Sequence, residues 1–382
     1  MNILQICPDY YNTKLYENLF LELRKQDIKN YIYVPTNNKN SKKIENIDGD
    51  EAYFIPSFNN FDRLSFFSKQ KKIMKKLIEE VDIENIDLVH AHTLFSSGYL
   101  AYKLNEKYGI PYIVAIRNTD LNVFFKYMIH LRSLGIKIMK NAKKIIFISP
   151  KYRDTILEKY VDRETMMSIK DNIEVIPNGI DEFWHKNKRS QLKKDKFDKL
   201  NLIYVGEVNK NKNIVTTIKA IEILREKGIS VQFNIIGKIS DTKIYDYICK
   251  FDFVNYYKPL NKEELIKKYR ENDIFVMPSI NETFGLVYAE AMSQGIPIIY
   301  SKNQGFDKQF IDGIVGFSVN SLDENEIVIA IENIMKNYSN ISINCLDKVK
   351  KFNWSDIEKI YRKIYIKILN EIGVNYERNI YK

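Results

Sequence analysis

Residues 278–299 read PSINETFGLVYAEAMSQGIPII. Glu282 precedes a Thr-Phe-Gly turn, and Glu290 follows inside a helix that Gly295 and Pro297 end. Eight residues of helix span about 12 Å, comparable to the reach of a nucleotide sugar from its sugar ring past the diphosphate to the ribose. A helix starting near Phe284 and Gly285 aims free backbone N–H groups and the positive end of its dipole at a phosphate. Gly285 permits close approach of the backbone. Carboxylates at both ends of such a groove suit hydroxyl groups, from which they accept strong charge-assisted hydrogen bonds. Taken alone, the two glutamates also fit a helix-entry residue and a solvated helix carboxylate.

On either side of this stretch, short apolar strands alternate with amphipathic helices. Strands are expected at 3–7, 31–35, 87–92, 112–116 and 144–149, with a basic helix around Lys69–Ile78 and another over 96–107. The pattern restarts with LIYVG at 202–206, a helix at 213–227, VQFNIIG at 231–237, a helix at 262–271, DIFVMPS at 273–279, a helix at 285–294 and PIIYS at 297–301. This alternation predicts α/β architecture with parallel sheets covered on both faces. The expected division is an N-terminal domain over 1–181, a charged linker over 182–199, a second domain over 200–353, and a C-terminal helix over 354–382. The two doubly wound units should face each other across a cleft. The last helix carries Ile357, Ile360, Tyr361 and Ile364 at helical spacing, with Ser355 as its N-cap, and needs a surface to pack on.

The length of 382 residues accommodates two such domains. Apolar residues make up 45% and charged residues 28%, which excludes disorder as the main state. Cys7, Cys249 and Cys345 lie far apart, so neither a CxxC metal pair nor a disulfide framework is present. The first residues lack the pattern of a signal peptide, and no apolar run reaches the ~20 residues that span a bilayer. A cytoplasmic protein is expected. The net charge of +10 fits an AT-rich codon bias, and equally a phosphorylated ligand or an anionic membrane face. No recognition module accompanies it, so nucleic acid is not expected.

GxGxxG, Walker A and HExxH patterns are all missing. His90 and His92 alternate on one strand face, but a third metal ligand at suggestive spacing is lacking, which favours a structural role. His130 and His185 carry no signal. The Asn-x-Ser/Thr matches at Asn281, Asn337 and Asn340 read as chance, since one adjoins Glu282 itself. Residues 65–80 and 123–144 mix Phe, Ile and Met with many lysines. Interfacial helices have that composition, and so do charged helices covering a sheet.

Together these segments resemble the family 4 glycosyltransferases, retaining enzymes of GT-B architecture. The resemblance rests on Glu282-Thr-Phe-Gly285 through Glu290-Ala-Met as an E-x7-E signature, and on VIPNGID at 175–181 as the interdomain segment. HAHTLFSSG at 90–98 and DGIVGF at 312–317 also match. It implies that Glu282 and Thr283 contact the donor sugar, that the amides of Phe284, Gly285 and Leu286 lie near sugar or diphosphate, and that Glu290 holds the ribose. Gly206 and Lys212 match the diphosphate-binding segment. Gly237 and Lys238 fall in a base-binding loop. Where the family carries an arginine, this chain has Glu207, which would repel a diphosphate by several kcal/mol at low dielectric. Either Glu207 points away while Lys210 or Lys212 supplies the charge, or catalysis has weakened.

In the first domain Asp120 matches the Asp of a common His-Gly-x-Asp, while Arg117 and Asn118 replace the His and Gly. Arg117 cannot act as a base. It would bind phosphate or carboxylate, or else pair with Asp120, and Asp120 or Arg117 would orient acceptor or donor. The loop PDYYNTK at 8–14 lacks the glycines common in the family, reshaping the acceptor side. The implied reaction moves a sugar from a nucleotide sugar, with UDP the commonest nucleotide, to a hydroxyl of a glycan or lipid-linked glycan. It needs no metal or other cofactor and serves bacterial surface polysaccharide or glycolipid synthesis. The rival readings are a catalytically weakened partner that keeps the fold and a nucleotide-sugar epimerase. The epimerase would need more ionisable residues than this histidine-poor chain offers.

Overall fold

The computed structural model describes residues 1–10, 14–190 and 197–373. The elements run β1 (Asn2–Ile6), α1 (Leu15–Arg24), β2 (Lys29–Asn37), β3 (Lys43–Ile47), β4 (Asp50–Phe58), α2 (Phe66–Glu80) and β5 (Leu88–Ala91). There follow α3 (Ser96–Tyr108), β6 (Tyr112–Ile116), α4 (Arg132–Asn141), β7 (Lys144–Phe147), α5 (Pro150–Tyr160), α6 (Arg163–Ile169) and β8 (Ile173–Val175). The next are α7 (Glu182–Lys186), β9 (Leu200–Val205), α8 (Ile214–Glu226), β10 (Val231–Ile236), α9 (Thr242–Ile248), β11 (Val254–Tyr257) and α10 (Lys262–Glu271). The chain closes with β12 (Ile274–Met277), α11 (Leu286–Ser293), β13 (Ile298–Ser301), β14 (Gly316–Val319), α12 (Glu324–Lys336), α13 (Tyr338–Lys348) and α14 (Trp354–Glu371).

Two compact units result. The first comprises residues 1–148, 152–178 and the chain from Trp354 onward; the second comprises 149–151 and 179–353. In the first, eight strands run in the order β3-β4-β2-β1-β5-β6-β7-β8. All neighbours are parallel except β3 and β4, which form an antiparallel edge hairpin turned at Asp48-Gly49. Strand β6, YIVAI, is buried at every position, as a strand covered on both faces must be. The sheet of the second unit is wholly parallel, in the order β11-β10-β9-β12-β13-β14.

In such sheets the strand order reverses at one point, and ligands bind beyond the carboxyl ends of the strands there. In the second unit that point lies between β9 and β12, in the first between β1 and β5. The loops leaving β9 and β12 contain Lys212 and Glu282, so the topology alone places both residues at one crevice.

Helix α14 belongs to the first unit. Trp354, Ile357, Tyr361, Ile364, Tyr365, Ile368 and Leu369 form its buried stripe and join Ile3, Tyr16, Leu19, Phe20 and Leu23 in one core. At ~1.5–3 kcal/mol per fully buried large side chain, this stripe is a major stabiliser of that unit. Two expectations about the helix need correcting. It begins at Trp354, so Ser355 lies within its first turn rather than capping it. Ile360 points outward and is 42% exposed, because the stripe continues through Tyr365 instead.

The expected linker over 182–199 is not featureless. Asp181 caps α7 by accepting the amide of Phe183, and Trp184 is buried against Tyr269. Residues 191–196 of that segment lie outside the described residues. Nor is the basic stretch 123–144 one amphipathic helix. A wide π-type turn over Asp120–Phe125 and a short 3-10 turn over Ile129–Leu131 precede α4.

Candidate functional site

The loop after β9 is built by asparagines. Asn209 Oδ1 accepts the Lys212 amide (3.1 Å) and closes a tight turn over residues 210–212. Asn213 adopts φ 55°, and its side-chain amide donates to the Pro278 carbonyl (3.1 Å). Asn211 holds the facing loop. Its carbonyl accepts Ile280 N (2.8 Å), its Oδ1 accepts Asn281 N (3.0 Å), and its Nδ2 donates to Asn281 O (2.9 Å). These bonds bring Lys212 Nζ to 2.7 Å from Glu282 Oε2. The Glu282 carboxylate also accepts Ser279 Oγ (3.3 Å) and the amide of Thr283 (3.1 Å).

Helix α11 starts directly after Gly285, whose φ is 76° and where a Cβ would fall 2.3 Å from the Tyr288 ring. Tyr288 donates its hydroxyl to the Met277 carbonyl (2.6 Å), pinning the first turn to β12. The amides of Phe284 and Gly285 donate no hydrogen bond among the described residues. Phe284 itself is buried against Phe306 and Phe352, while Thr283 is exposed and Leu286 half-buried.

Gly206 and Gly237 end β9 and β10. A Cβ on Gly237 would lie 1.8 Å from the Gly206 carbonyl oxygen, so this strand-end contact requires glycine. Lys238 follows, exposed, with its carbonyl accepting Val208 N (2.8 Å). Glu207 is exposed too. Its carboxylate accepts Asn209 Nδ2 (3.2 Å) and Ser240 Oγ (3.3 Å), while Lys212 stands on Glu282.

Glu290 projects from α11 beside three residues that sequence reasoning gave no role. Lys262 forms an ion pair with Asp181, and the buried phenol of Tyr269 lies next to Glu290 outside hydrogen-bond geometry. Burial raises the Glu290 carboxyl from 4.5 to about 7, with Lys262 opposing the shift and Asp181 adding to it. Lys262 and Tyr269 look in sequence like ordinary positions of an amphipathic helix. Asp181 sits in the quoted PNGID, which was the one available signal.

Arg117 and Asp120 belong to the first unit. Asp120 is 1% exposed, and its carboxylate accepts three backbone amides, Leu94 (3.0 Å), Phe95 (3.1 Å) and Arg117 (2.9 Å). Burial nevertheless raises it to about 6. These three bonds give Asp120 a role in holding the loops after β5 and β6, beside the substrate-orienting role expected of it. The Arg117 guanidinium donates to the His92 carbonyl (3.2 Å) and to Asn178 Oδ1 (2.8 Å), and stacks on Tyr16. Its link to Asp120 runs through its backbone amide.

His90 and His92 are fully buried and stacked, with ring centroids 4.0 Å apart. His90 Nδ1 bonds the Tyr365 hydroxyl (2.7 Å) and His92 Nε2 bonds Gln5 Oε1 (2.8 Å). Burial holds both below the ordinary histidine range. Among the described residues no group of three or more His, Cys, Asp or Glu is placed to hold a metal. Residues 11–13 of the glycine-poor loop at 8–14 lie outside the described residues.

Two doubly wound sheets, one with a lysine, a carboxylate and open helix amides at its switch point, are the parts from which a GT-B fold is built. Comparisons with known proteins agree and narrow the class. Residues 14–182 match the model described as Glycosyltransferase Family 4, and residues 185–351 that of Glycosyl transferases group 1. The chain belongs to the family 4 type of GT-B glycosyltransferase.

An uncharacterized glycosyltransferase of Methanocaldococcus jannaschii is 26% identical over 81% of this chain and 83% of its own. The alpha-monoglucosyldiacylglycerol synthase of Acholeplasma laidlawii is 26% identical over 77% of each. A capsular polysaccharide biosynthesis glycosyltransferase of Staphylococcus aureus is 25% identical over 84% of this chain and 87% of its own. Among solved structures, sucrose-phosphate synthase from Thermosynechococcus elongatus superposes with a TM-score of 0.74 at 18% identity, over 97% of this chain and all of that one. An Anabaena protein in complex with UDP gives 0.68 at 14% identity, over 95% and 99%.

Proposed function

We propose that the protein transfers a glycosyl group from a nucleotide sugar, UDP-linked in the first instance, to a hydroxyl of a glycan or lipid-linked glycan, retaining the anomeric configuration and using no metal. The observation that carries this reading is the Lys212–Glu282 pair beside the open amides of Phe284 and Gly285. Glu282 accepts hydrogen bonds from hydroxyls of the donor sugar, and Lys212 turns toward the diphosphate. Glu290 accepts the ribose hydroxyls.

As the bond from the anomeric carbon to the diphosphate oxygen lengthens, the carbon gains oxocarbenium character. Negative charge collects on the departing oxygen, where the Lys212 ammonium and the two amides stabilise it. The acceptor oxygen bonds to the same face of the sugar, and its proton passes to the diphosphate. The names of the Acholeplasma and Staphylococcus relatives support a glycolipid or surface-polysaccharide acceptor, and the UDP complex of the Anabaena protein supports the nucleotide. Such an acceptor would be met in the cytoplasm, at the inner face of the membrane.

Glu207 favours a second reading, a weakened enzyme that binds donors without turning them over. A screen of UDP-, GDP- and ADP-sugars, followed by NMR of the product, separates the two. Release of nucleotide with one donor and an unchanged anomeric configuration supports transfer. Donor binding without release supports the weakened enzyme.

A further inference from the structure

The loop that leaves β13, residues 302–310, is bound to the backbone around Glu282. Gly305 N donates to the Glu282 carbonyl (3.0 Å), and a Cβ on Gly305 would fall 1.8 Å from the Thr283 carbonyl oxygen, so the two loops are in direct contact. Ser301, the last residue of β13, donates its hydroxyl to the Ser279 carbonyl (2.6 Å), and the Phe306 ring packs on Tyr288 with centroids 4.9 Å apart. Within the loop, Asp307 N donates to the Gln304 carbonyl (3.0 Å), and the Asp307 carboxylate accepts Asn303 N (2.7 Å). Gln304 is therefore held through its own backbone and through both of its neighbours.

Its side chain completes the contact. Glu282 N donates to Gln304 Oε1 (3.0 Å). A backbone amide can only donate, so this bond fixes which end of the Gln304 amide is the oxygen and turns its NH2 group away from the Glu282 backbone. That NH2 group has no partner among the described residues, and Gln304 is half-buried. A half-buried donor left unpaired is destabilising until it meets an oxygen. The residue that anchors Gln304 also presents a half-buried carboxylate, which can only accept. One donor and one acceptor thus stand on adjoining side chains. A hydroxyl satisfies both at once, giving its proton to the carboxylate and receiving the NH2 on its oxygen, whereas a hydrogen atom or an ether in its place cannot.

We propose that Gln304 determines donor specificity by binding, together with Glu282, the two sides of a single hydroxyl of the donor sugar. The inference rests on the proposed contact of Glu282 with that sugar. It restricts the donors to sugars that carry a free hydroxyl at the shared position, neither deoxygenated nor substituted on oxygen. The test measures kcat/KM of the full chain with UDP-glucose, UDP-galactose and UDP-N-acetylglucosamine and with their 3-, 4- and 6-deoxy forms. The wild type should lose about 100-fold or more at one of these positions, because the deoxy donor leaves both groups unpaired. Gln304→Met should shrink that one preference about tenfold, keeping the preferences at the other positions, the thermal unfolding and the Kd of UDP alone. Gln304→Asn, whose amide is drawn back by one methylene, should weaken the same preference, which guards against misfolding of either variant. Equal losses with every donor form would make Gln304 only a support for the Glu282 backbone and overturn the proposal, leaving the role of Glu282 standing. A wild type that neither binds nor turns over any of these donors overturns both.

Discussion

Lys212 and Glu282, 70 residues apart along the chain, meet in an ion pair of 2.7 Å. Without donor, each neutralises the other. On the proposed function, a bound donor would draw Lys212 to its diphosphate and Glu282 to its sugar hydroxyls, so that two half-buried charges exchange partners instead of losing them. Removing one partner should therefore damage turnover more than binding. Lys212→Met and Glu282→Ala are each expected to lower kcat by about 100-fold or more, with a smaller change in donor Kd by calorimetry. Wild-type turnover in Glu282→Ala would overturn the site.

In the proposed site Glu207 stands where the family resemblance implies an arginine. It is exposed and held by Asn209 and Ser240, so its field on a bound diphosphate is screened but unfavourable. Glu207→Arg should tighten UDP binding by about 5–10-fold at low salt, and the gain should shrink as salt is added. Titration of UDP at two ionic strengths measures both effects.

In the proposed role Glu290 would link nucleotide binding to pH. Burial raises its carboxyl from 4.5 to about 7, and the ionised form is the stronger acceptor for ribose hydroxyls. UDP affinity should therefore rise with pH and level off above about 7, and Glu290→Gln should flatten the profile. Stability runs in the opposite direction. A raised folded pKa means that the native state holds the proton more tightly, so this contribution is complete below 4.5 and is lost as pH rises through about 7. Glu290→Gln should match the wild type in acid and exceed it at pH 8 by on the order of 1–2 kcal/mol, read by thermal unfolding at the two pH values.

Asp120 should matter for folding. Asparagine offers one acceptor oxygen where three amides now converge, so Asp120→Asn should destabilise the first unit by about 2–4 kcal/mol. Denaturant unfolding checks this, with calorimetry expected to show UDP binding unchanged.

Much of this was legible in the sequence because it is local. Apolar runs such as YIVAI, DIFVMPS and PIIYS had to become buried parallel strands, and the turn between Glu282 and Glu290 had to start a helix. What escaped was either weakly patterned or distant. The edge hairpin of β3 and β4 went unread although Asp48-Gly49 is a strong hairpin signal. The strands at 254–257 and 316–319 are only partly buried, and Asn255 and Ser318 interrupt their apolar runs. Lys262 reaches Asp181 from 81 residues away, and the three amides on Asp120 come from loops whose meeting only the sheet order decides. Residue types disclosed the chemistry; the partners of each charge depended on topology.

Helix α14 completes the core of the first unit. Its stripe of Trp354, Ile357, Tyr361 and Tyr365 enters a core otherwise made before residue 180. During synthesis the second unit is therefore fully extruded while the first still lacks its last wall, leaving Tyr16, Leu19, Phe20 and Leu23 exposed in the interval. Premature termination between residues 353 and 361 would spare the half that carries Lys212 and Glu282 and strand the half that carries Arg117 as an aggregation-prone intermediate.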